Sequence, residues 1–214
     1  MKNSSREVFL KRAQELVPVL RERASKTAKL RQIPEETISD LEAAGLWRVL
    51  KPESYGGYLS DFGLMIDIAI ELGRGCASTA WVYINIVSHN WMLPLWPKKA
   101  MDAIWGENEK ALIGSTLVFP AGRLEPLQNG YKFTGRWPYA SGIDASDWMM
   151  LGAMKKSDSK ALQARIVVVQ AKDLEVFDTW FVSGLAGTGS KDVACKNLFV
   201  PDYMVFDPNL AREG

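Results

Sequence analysis

Two short segments combine glycines, hydroxyl groups and aromatic rings at the ends of predicted strands. The first, Gly135 to Gly142, reads Gly-Arg-Trp-Pro-Tyr-Ala-Ser-Gly, and the second, Gly184 to Asp192, reads Gly-Leu-Ala-Gly-Thr-Gly-Ser-Lys-Asp. Asp147 and Trp148 lie between them in the chain. At a strand end, backbone N–H groups and small polar side chains can contact a flat heterocycle. The combination indicates a flavin site, for FAD or FMN.

Ser141 is the residue of the first segment that is best suited to chemistry. Its hydroxyl group can both donate and accept a hydrogen bond, which suits a flavin ring nitrogen or an oxygen adduct of the flavin. The alternative is that Ala140 to Gly142 form a turn that closes a strand. Trp137 and Trp148 have two interpretations, as core residues or as rings that stack on the flavin.

The second segment is similar to part of the dinucleotide-binding fingerprint, but that interpretation fails. The third glycine of the fingerprint is absent, and a strand rather than a helix is predicted to follow. A turn whose Thr188 and Ser190 face a cofactor remains open. The sequence contains no phosphate-binding loop, no nucleophile elbow and no second partner for a catalytic triad.

His89 is the only histidine in the chain, so a multi-histidine metal site is excluded. Cys76 and Cys195 lack the paired spacing of a zinc motif, and we predict no metal. Helical spacing places Trp81, Asn85 and His89 on one face, where the imidazole could orient or deprotonate a phenol-like substrate. The alternative is a hydrogen-bonded core histidine, the commoner role of a lone histidine on an apolar helix.

Composition limits the possible binding partners and indicates the cellular compartment. The formal net charge is +1, and without a stripe of Lys and Arg we expect no nucleic-acid partner. The apolar run 77–96 is interrupted by Asn85 and by Ser88 to Asn90, which favours a buried helix over a membrane span. With no secretory signal in the sequence, the two cysteines are expected to be reduced thiols in a cytoplasmic protein.

The elements that position these residues change character near residue 109. Apolar periodicity with Pro, Asp and Gly boundaries predicts five helices before it. The first spans about 4–24, and the second begins at Pro34 and ends at Gly45. The third begins at the N-cap candidate Asp61 and carries Leu64, Ile68 and Leu72. The fourth follows Gly75, and a short fifth spans about 98–105. Segments rich in β-branched and aromatic residues predict five strands after it, at 111–118, 130–140, 147–154, 163–170 and 193–199. We therefore predict an α+β protein with an all-α helical domain (1–108) followed by a small antiparallel β-barrel or sandwich (109–205).

Four stretches, in order along the chain, resemble the acyl-CoA dehydrogenase superfamily. They are Pro52 to Gly57, Glu71 to Trp81, Gly135 to Gly142, and Gly184 to Val193 with Phe199 to Pro201 after it. The resemblance implies a helical domain, a middle β domain and a C-terminal four-helix bundle. Residues 206–214 would then be the start of that bundle, the rest of which this chain lacks.

Within the superfamily, the chain is more similar to the flavin-dependent hydroxylases than to the dehydrogenases. Dehydrogenases usually carry Trp-Ile-Thr-Asn-Gly or similar where this chain has Pro138 to Gly142, and hydroxylases tend to have a histidine in a context that His89 to Trp91 matches. The resemblance implies that His89 points toward the substrate hydroxyl, that Trp81 and Ser115 line the pocket, and that Ser141 lies at flavin N5 or its peroxide. The implied cofactor-binding set is Trp137, Tyr139, Ala140, Ser141, Gly142, Thr188 and Ser190.

The implied function is that of the oxygenase component of a two-component monooxygenase. A separate flavin reductase would deliver reduced flavin, and a flavin C4a-hydroperoxide would hydroxylate an aromatic or polycyclic small molecule. The full-length protein would be a homo-oligomer, with no membrane partner. Two alternatives remain open: an acyl-CoA dehydrogenase-type enzyme with bound FAD, and an inactive truncated fragment of either enzyme.

Overall fold

The computed structural model describes residues 2–156 and 161–212. Over these residues it has five α-helices and eight β-strands, which confirms the α+β class. Contacts divide the chain into unit 1 (Met1–Trp91 and Trp180–Gly189) and unit 2 (Met92–Thr179 and Ser190–Gly214). The boundary expected after residue 108 stays a prediction, and the last two residues of the expected 206–214 element lie outside the described residues.

Unit 1 is built from helices that bury one apolar face. They are α1 (Lys2–Leu30), α2 (Glu35–Ala43), α3 (Phe62–Gly73) and α4 (Ala77–Met92), whose last residue opens unit 2. Asp61 caps α3, because its Oδ1 accepts a hydrogen bond from the Leu64 N–H at 3.0 Å, as the sequence predicts. Leu64, Ile68 and Leu72 follow at helical spacing and are buried, so the face that the periodicity indicated is the face that packs.

Helix α4 carries most of the apolar run that raised the question of a membrane span. It packs within unit 1, with Val82, Ile86 and Val87 buried. None of the described helices combines the length with the hydropathy that crossing a bilayer needs. The turn before α4 lies tightly against α1, since a Cβ on Gly75 would sit 2.7 Å from the Val17 carbonyl oxygen.

Unit 2 contains one short α-helix, α5 (Lys98–Met101), which continues as a π-helical turn (Asp102–Gly106), and a single sheet. The strands are β1 (Ile113–Thr116), β2 (Gly122–Leu127), β3 (Gly130–Ala140), β4 (Trp148–Lys156), β5 (Leu162–Gln170), β6 (Glu175–Phe177), β7 (Lys191–Pro201) and β8 (Val205–Phe206). Their order in the sheet is β6-β7-β3-β2-β4-β5-β8, with β1 also paired to β4. Because β7 returns to pair with β3, the two segments singled out in the sequence end at neighbouring strands.

The sheet is mainly antiparallel, with two exceptions at β4. Both β1 and β2 pair with β4 in the parallel direction, which the expected antiparallel barrel or sandwich did not include. The sequence also missed β2, β6 and β8. Strand β2 contains Gly122 and Pro126, which weaken a strand signal, while β6 and β8 have only three and two residues.

Candidate functional site

The carboxyl end of β3 is bent into an unusual backbone. The β3–β7 register shifts between Trp137 and Ala140, which marks a β-bulge. Tyr139 has a φ of +65° and Gly142 a φ of +75°, so two left-handed residues enclose Ala140 and Ser141. A tyrosine rarely adopts this region, and such strain clusters at functional sites.

Ser141 meets Ser190 at this bend. Their Oγ atoms lie 2.7 Å apart, and either can be the donor. Both residues are nearly inaccessible, at 5% and 4% exposure. Two neutral hydroxyl groups, one from each of the two segments, therefore form a buried hydrogen-bonded pair, which we call the serine pair.

Three further contacts fix the backbone around the serine pair. Ala140 is the register partner of Lys191, and Lys191 Nζ lies 2.6 Å from Asp144 Oδ1. From β1, Thr116 Oγ1 donates to the Pro138 carbonyl at 2.7 Å. The positions of the two serines are thus set by backbone pairing and by contacts of neighbouring residues.

The two aromatic residues of the first segment have different surroundings. Trp137 is fully buried, its indole N–H donates to the Gly152 carbonyl at 2.7 Å, and its ring packs 5.0 Å from that of Phe133. These contacts favour the core interpretation over stacking on a flavin. Tyr139 is 64% exposed, so its side chain lies at the surface, two residues before Ser141.

Ser115 is buried in β1, where it is the parallel register partner of Met150 in β4. Its neighbour Thr116 is the residue that bonds β3. Adjacent residues in a strand point to opposite faces, so the hydroxyl groups of Ser115 and Thr116 serve different sides of β1. The lining role of Ser115 stays a prediction.

The histidine lies in unit 1, near the end of α4. His89 is 3% exposed, whereas Trp81, two helical turns earlier, is 51% exposed. Between them, the side-chain Oδ1 of Asn85 is buried and has no hydrogen-bond partner among the described residues. The neighbouring Asn90 donates to the Trp47 carbonyl at 2.6 Å. The face predicted from spacing thus runs from an exposed ring to a buried imidazole.

Thr188 also belongs to unit 1 and is buried there. Its hydroxyl group donates to the Leu185 carbonyl at 2.9 Å within one turn, and Leu185 and Gly189 each have a φ of +55°. A Cβ on Gly187 would lie 2.4 Å from Thr27 Cγ2, so the glycine permits close packing on α1. The hydroxyl hydrogen of Thr188 is therefore used within its own turn.

Cys195 is not a reactive thiol. It lies in β7 opposite Gly135, and burial raises the pKa of Cys195 to about 11. The thiolate is the nucleophilic form, so this residue is inert near neutral pH. Burial likewise raises the pKa of Tyr83, a fully buried α4 residue.

Sequence reasoning found the serines but missed how they are joined. The hydrogen bond between Ser141 and Ser190, the ion pair of Lys191 with Asp144 and the Thr116 contact all depend on which strands pair. No local signal in the sequence gives that strand pairing. The one hint is Lys191, which directly follows Ser190 and whose positive charge favours an acidic partner close to it in the fold.

Comparison with known proteins identifies the family. Residues 6–97 match the acyl-CoA dehydrogenase N-terminal domain family. This match places the helical part of the chain in the acyl-CoA dehydrogenase superfamily. It is 35% identical over 196 residues to the oxygenase subunit HsaA of a flavin-dependent monooxygenase from Rhodococcus jostii, covering 92% of this chain and 51% of that protein.

Two further similar proteins depend on or bind reduced FAD. The oxygenase component of an FADH2-dependent resorcinol hydroxylase from a Rhizobium species is 32% identical, over 87% of this chain and 46% of its own length. The structure of XiaF from a Streptomyces species, in complex with FADH2 and glycerol, superimposes with a TM-score of 0.91 at 30% identity, covering 99% of this chain and 53% of XiaF. The chain spans about half the length of the curated relatives that it matches.

Proposed function

We propose that this chain carries the flavin-binding and substrate-binding part of the oxygenase component of a two-component flavin-dependent monooxygenase. Its reaction would be the hydroxylation of an aromatic or polycyclic small molecule. The observation that carries this proposal is the buried serine pair, Ser141 with Ser190, at a left-handed strand end. It occurs in a chain whose relatives are flavin-dependent hydroxylase components.

The residues at the end of β3 fit the edge of a flavin. The isoalloxazine ring has both hydrogen-bond donors and acceptors along one edge, and a serine hydroxyl can hydrogen-bond to either kind. The exposed ring of Tyr139 supplies an adjacent flat surface. Reduced flavin, when bound, supplies the activation of dioxygen. Ser141 would orient the flavin edge, and Ala140 and Gly142 would place the serine without bringing bulk near the ring.

The neutrality of this site is important for the reaction. The serine pair provides hydrogen bonds without introducing a charge, and both residues are almost fully shielded from water. A dry site with neutral donors protects a reactive oxygen species from proton loss and from water. We propose that Thr188 and Ser190 support the flavin from the second segment, and that Trp137 supports Tyr139 and Ser141 from within the core.

Unit 1 would supply the substrate contacts. His89 is the titratable group of α4 best suited to orient or deprotonate a phenol, because imidazole changes protonation state near neutral pH. Trp81, half exposed on the same helical face, would form an aromatic wall. An electron-rich aromatic substrate is the class that such a set recognises.

We propose two partners. Since the sequence has no dinucleotide-binding fingerprint, a separate flavin reductase would supply reduced flavin. A homo-oligomer would be the functional assembly of the whole protein.

The experiment combines flavin retention with turnover. The purified chain is mixed with reduced FAD or FMN without oxygen, filtered to measure bound flavin, and then exposed to oxygen with a panel of phenols. We expect retained flavin and a hydroxylated phenol. Bleaching of bound FAD by an acyl-CoA would instead indicate the dehydrogenase-type activity, and a chain that retains no flavin would contradict both enzyme functions.

Two alanine variants distinguish the substrate role proposed for His89 from the flavin role proposed for Ser141. His89→Ala should lower phenol hydroxylation while leaving flavin retention within about twofold of the unchanged protein, since imidazole would act on the substrate. Ser141→Ala should weaken flavin retention or speed the return of oxidised-flavin absorbance after oxygen is added. Unchanged turnover in both variants would remove these two assignments.

A further inference from the structure

Residues 178–190 form the loop between β6 and β7, which contains most of the second segment singled out in the sequence. We infer that Thr179, Asp192 and Arg136 hold the two ends of this loop together, and that Asp192 is thereby a positioning residue for the flavin. These three residues are called the Asp192 cluster below. The inference rests on the proposed function, because it concerns the placing of Thr188 and Ser190, but the contacts of the cluster lie within unit 2.

The Thr179 hydroxyl joins the start of the loop to the strand that follows it. Its Oγ1 donates to Asp192 Oδ1 at 3.0 Å and accepts from the Asp192 backbone N–H at 3.1 Å. The Phe177 carbonyl is farther from the same Oγ1, at 3.4 Å, so the single hydroxyl hydrogen is best used on the carboxylate. Because Phe177 and Asp192 form the last register pair of β6 with β7, the hydroxyl extends the closure beyond the backbone ladder.

Arg136 fixes the other carboxylate oxygen of Asp192. Its Nε and Nη2 donate to Oδ2 at 3.1 and 2.9 Å, and its guanidinium lies 4.3 Å from the Phe177 ring centroid. Since Arg136 belongs to β3, these contacts tie the carboxylate to the strand beside β7 and keep Oδ1 directed at Thr179. The Arg136 and Asp192 side chains are 55% and 22% exposed, so the ion pair by itself adds little to stability. Its effect is to orient the carboxylate.

The backbone of the loop depends on fixed ends. Leu185 and Gly189 both have a φ of +55°, and residues in this region persist only where their surroundings hold them. Compact loops of this length whose ends lie close together are frequently functional. Ser190 lies two residues before Asp192, and its Oγ is 2.7 Å from that of Ser141. A displaced Asp192 would therefore shift Ser190 and the turn before it, which the proposed function places at the flavin.

Exposed apolar residues in the loop give its closure a direct readout. Phe181, Val182 and Leu185 are 69%, 40% and 43% exposed, and chymotrypsin cleaves after Phe and Leu. Cleavage of a native protein follows the population of its opened form when opening is fast. The rate of cleavage at these residues therefore measures opening of the loop, while urea unfolding measures global stability separately.

The test compares two substitutions of Thr179. Thr179→Val keeps the shape of the side chain but removes the hydroxyl, and Thr179→Ser keeps the hydroxyl. We expect Thr179→Val to raise both the loop cleavage rate and the flavin dissociation constant, measured by fluorescence, about fivefold, the factor that corresponds to one ordinary hydrogen bond. Thr179→Ser should stay within about twofold of the unchanged chain in both measurements. Asp192→Ala removes both carboxylate oxygens and should have an effect at least as large as Thr179→Val.

Thr134→Val is the matched control. Thr134 Oγ1 accepts a hydrogen bond from the Asn197 N–H at 2.9 Å, so this variant makes the same chemical change at another contact between β3 and β7. It should lower the free energy of unfolding in urea without changing loop cleavage or flavin affinity. A purely structural role for the Asp192 cluster would make Thr179→Val behave like this control.

Two results would overturn the inference alone. One is equal loop cleavage in Thr179→Val and in the unchanged chain. The other is faster cleavage with the same flavin dissociation constant, because the ends of the loop would then not position the flavin. If the unchanged chain binds no flavin, the proposed function fails and the positioning role of Asp192 fails with it.

Discussion

Gly142→Ala tests whether the loop after β3 is held in a left-handed conformation. Gly142 has a φ of +75°, a region that costs an alanine roughly 1–2 kcal/mol. Alanine also restricts the unfolded chain, which favours folding by about 0.4–1 kcal/mol. The two terms oppose each other, so we expect a net loss of roughly 0–1.6 kcal/mol in the free energy of unfolding.

Gly73→Ala is the matched control, because it is the same chemical change at an ordinary helical φ. A Cβ on Gly73 would meet Ala80 Cβ at 3.7 Å, a normal contact, so this variant should gain about 0.4–1 kcal/mol. The unfolded-state effect is common to both substitutions. The difference between Gly142→Ala and Gly73→Ala, roughly 1–2 kcal/mol, therefore measures the left-handed cost.

The assay is urea unfolding with linear extrapolation, followed by flavin retention. Gly142→Asn provides a second comparison, since asparagine tolerates left-handed φ better than alanine does, and it should lose less stability than Gly142→Ala. Flavin retention should fall in the same order, because a strained Gly142 displaces the adjacent Ser141. Equal stabilities for Gly142→Ala and Gly73→Ala would refute the left-handed backbone and, with it, the geometry proposed for the serine pair.

Three further outcomes are expected. Trp137→Phe should cost about 1–3 kcal/mol in urea unfolding, because the Gly152 carbonyl loses its buried donor; a change below ~0.5 kcal/mol would contradict the core role. Asp61→Ala should cost about 1 kcal/mol through loss of the α3 cap, whereas Asp102→Ala, away from that cap, should not. Burial raises the pKa of Cys195 to about 11 from its ordinary value of 9.0, so the unfolded state loses its proton first as pH rises. The free energy of unfolding should then fall between those two pH values, less steeply in Cys195→Ala; identical pH profiles would refute the shift.

Local patterns were sufficient for much of the fold. The helical periodicity of Leu64, Ile68 and Leu72, with the Asp61 cap, gave α3 correctly. Strand β3 was predicted with its observed bounds, because Asn129-Gly130 marks its start and β-rich residues fill it. These signals come from residues close together in the sequence. They can therefore be recognised without knowing what each element packs against.

Local sequence patterns did not predict which strands pair. The parallel contacts of β1 and β2 with β4 join residues far apart in the chain, and no turn chemistry specifies them. Strand β6 has three residues, too few for an alternation to show. Its pairing with β7 defines it more than its own sequence does.

The residue types of the site were readable from the sequence, but their arrangement was not. Ser141, Ser190, Trp81 and His89 were identified from composition, helical spacing and family resemblance. Only the folded chain decided that the two serines bond each other at 2.7 Å, because 49 residues separate them and their approach depends on the pairing of β3 with β7. The sequence by itself determined which chemical groups are available, and the tertiary structure decided which of them are buried and oriented together, since burial and hydrogen bonding depend on contacts between distant residues.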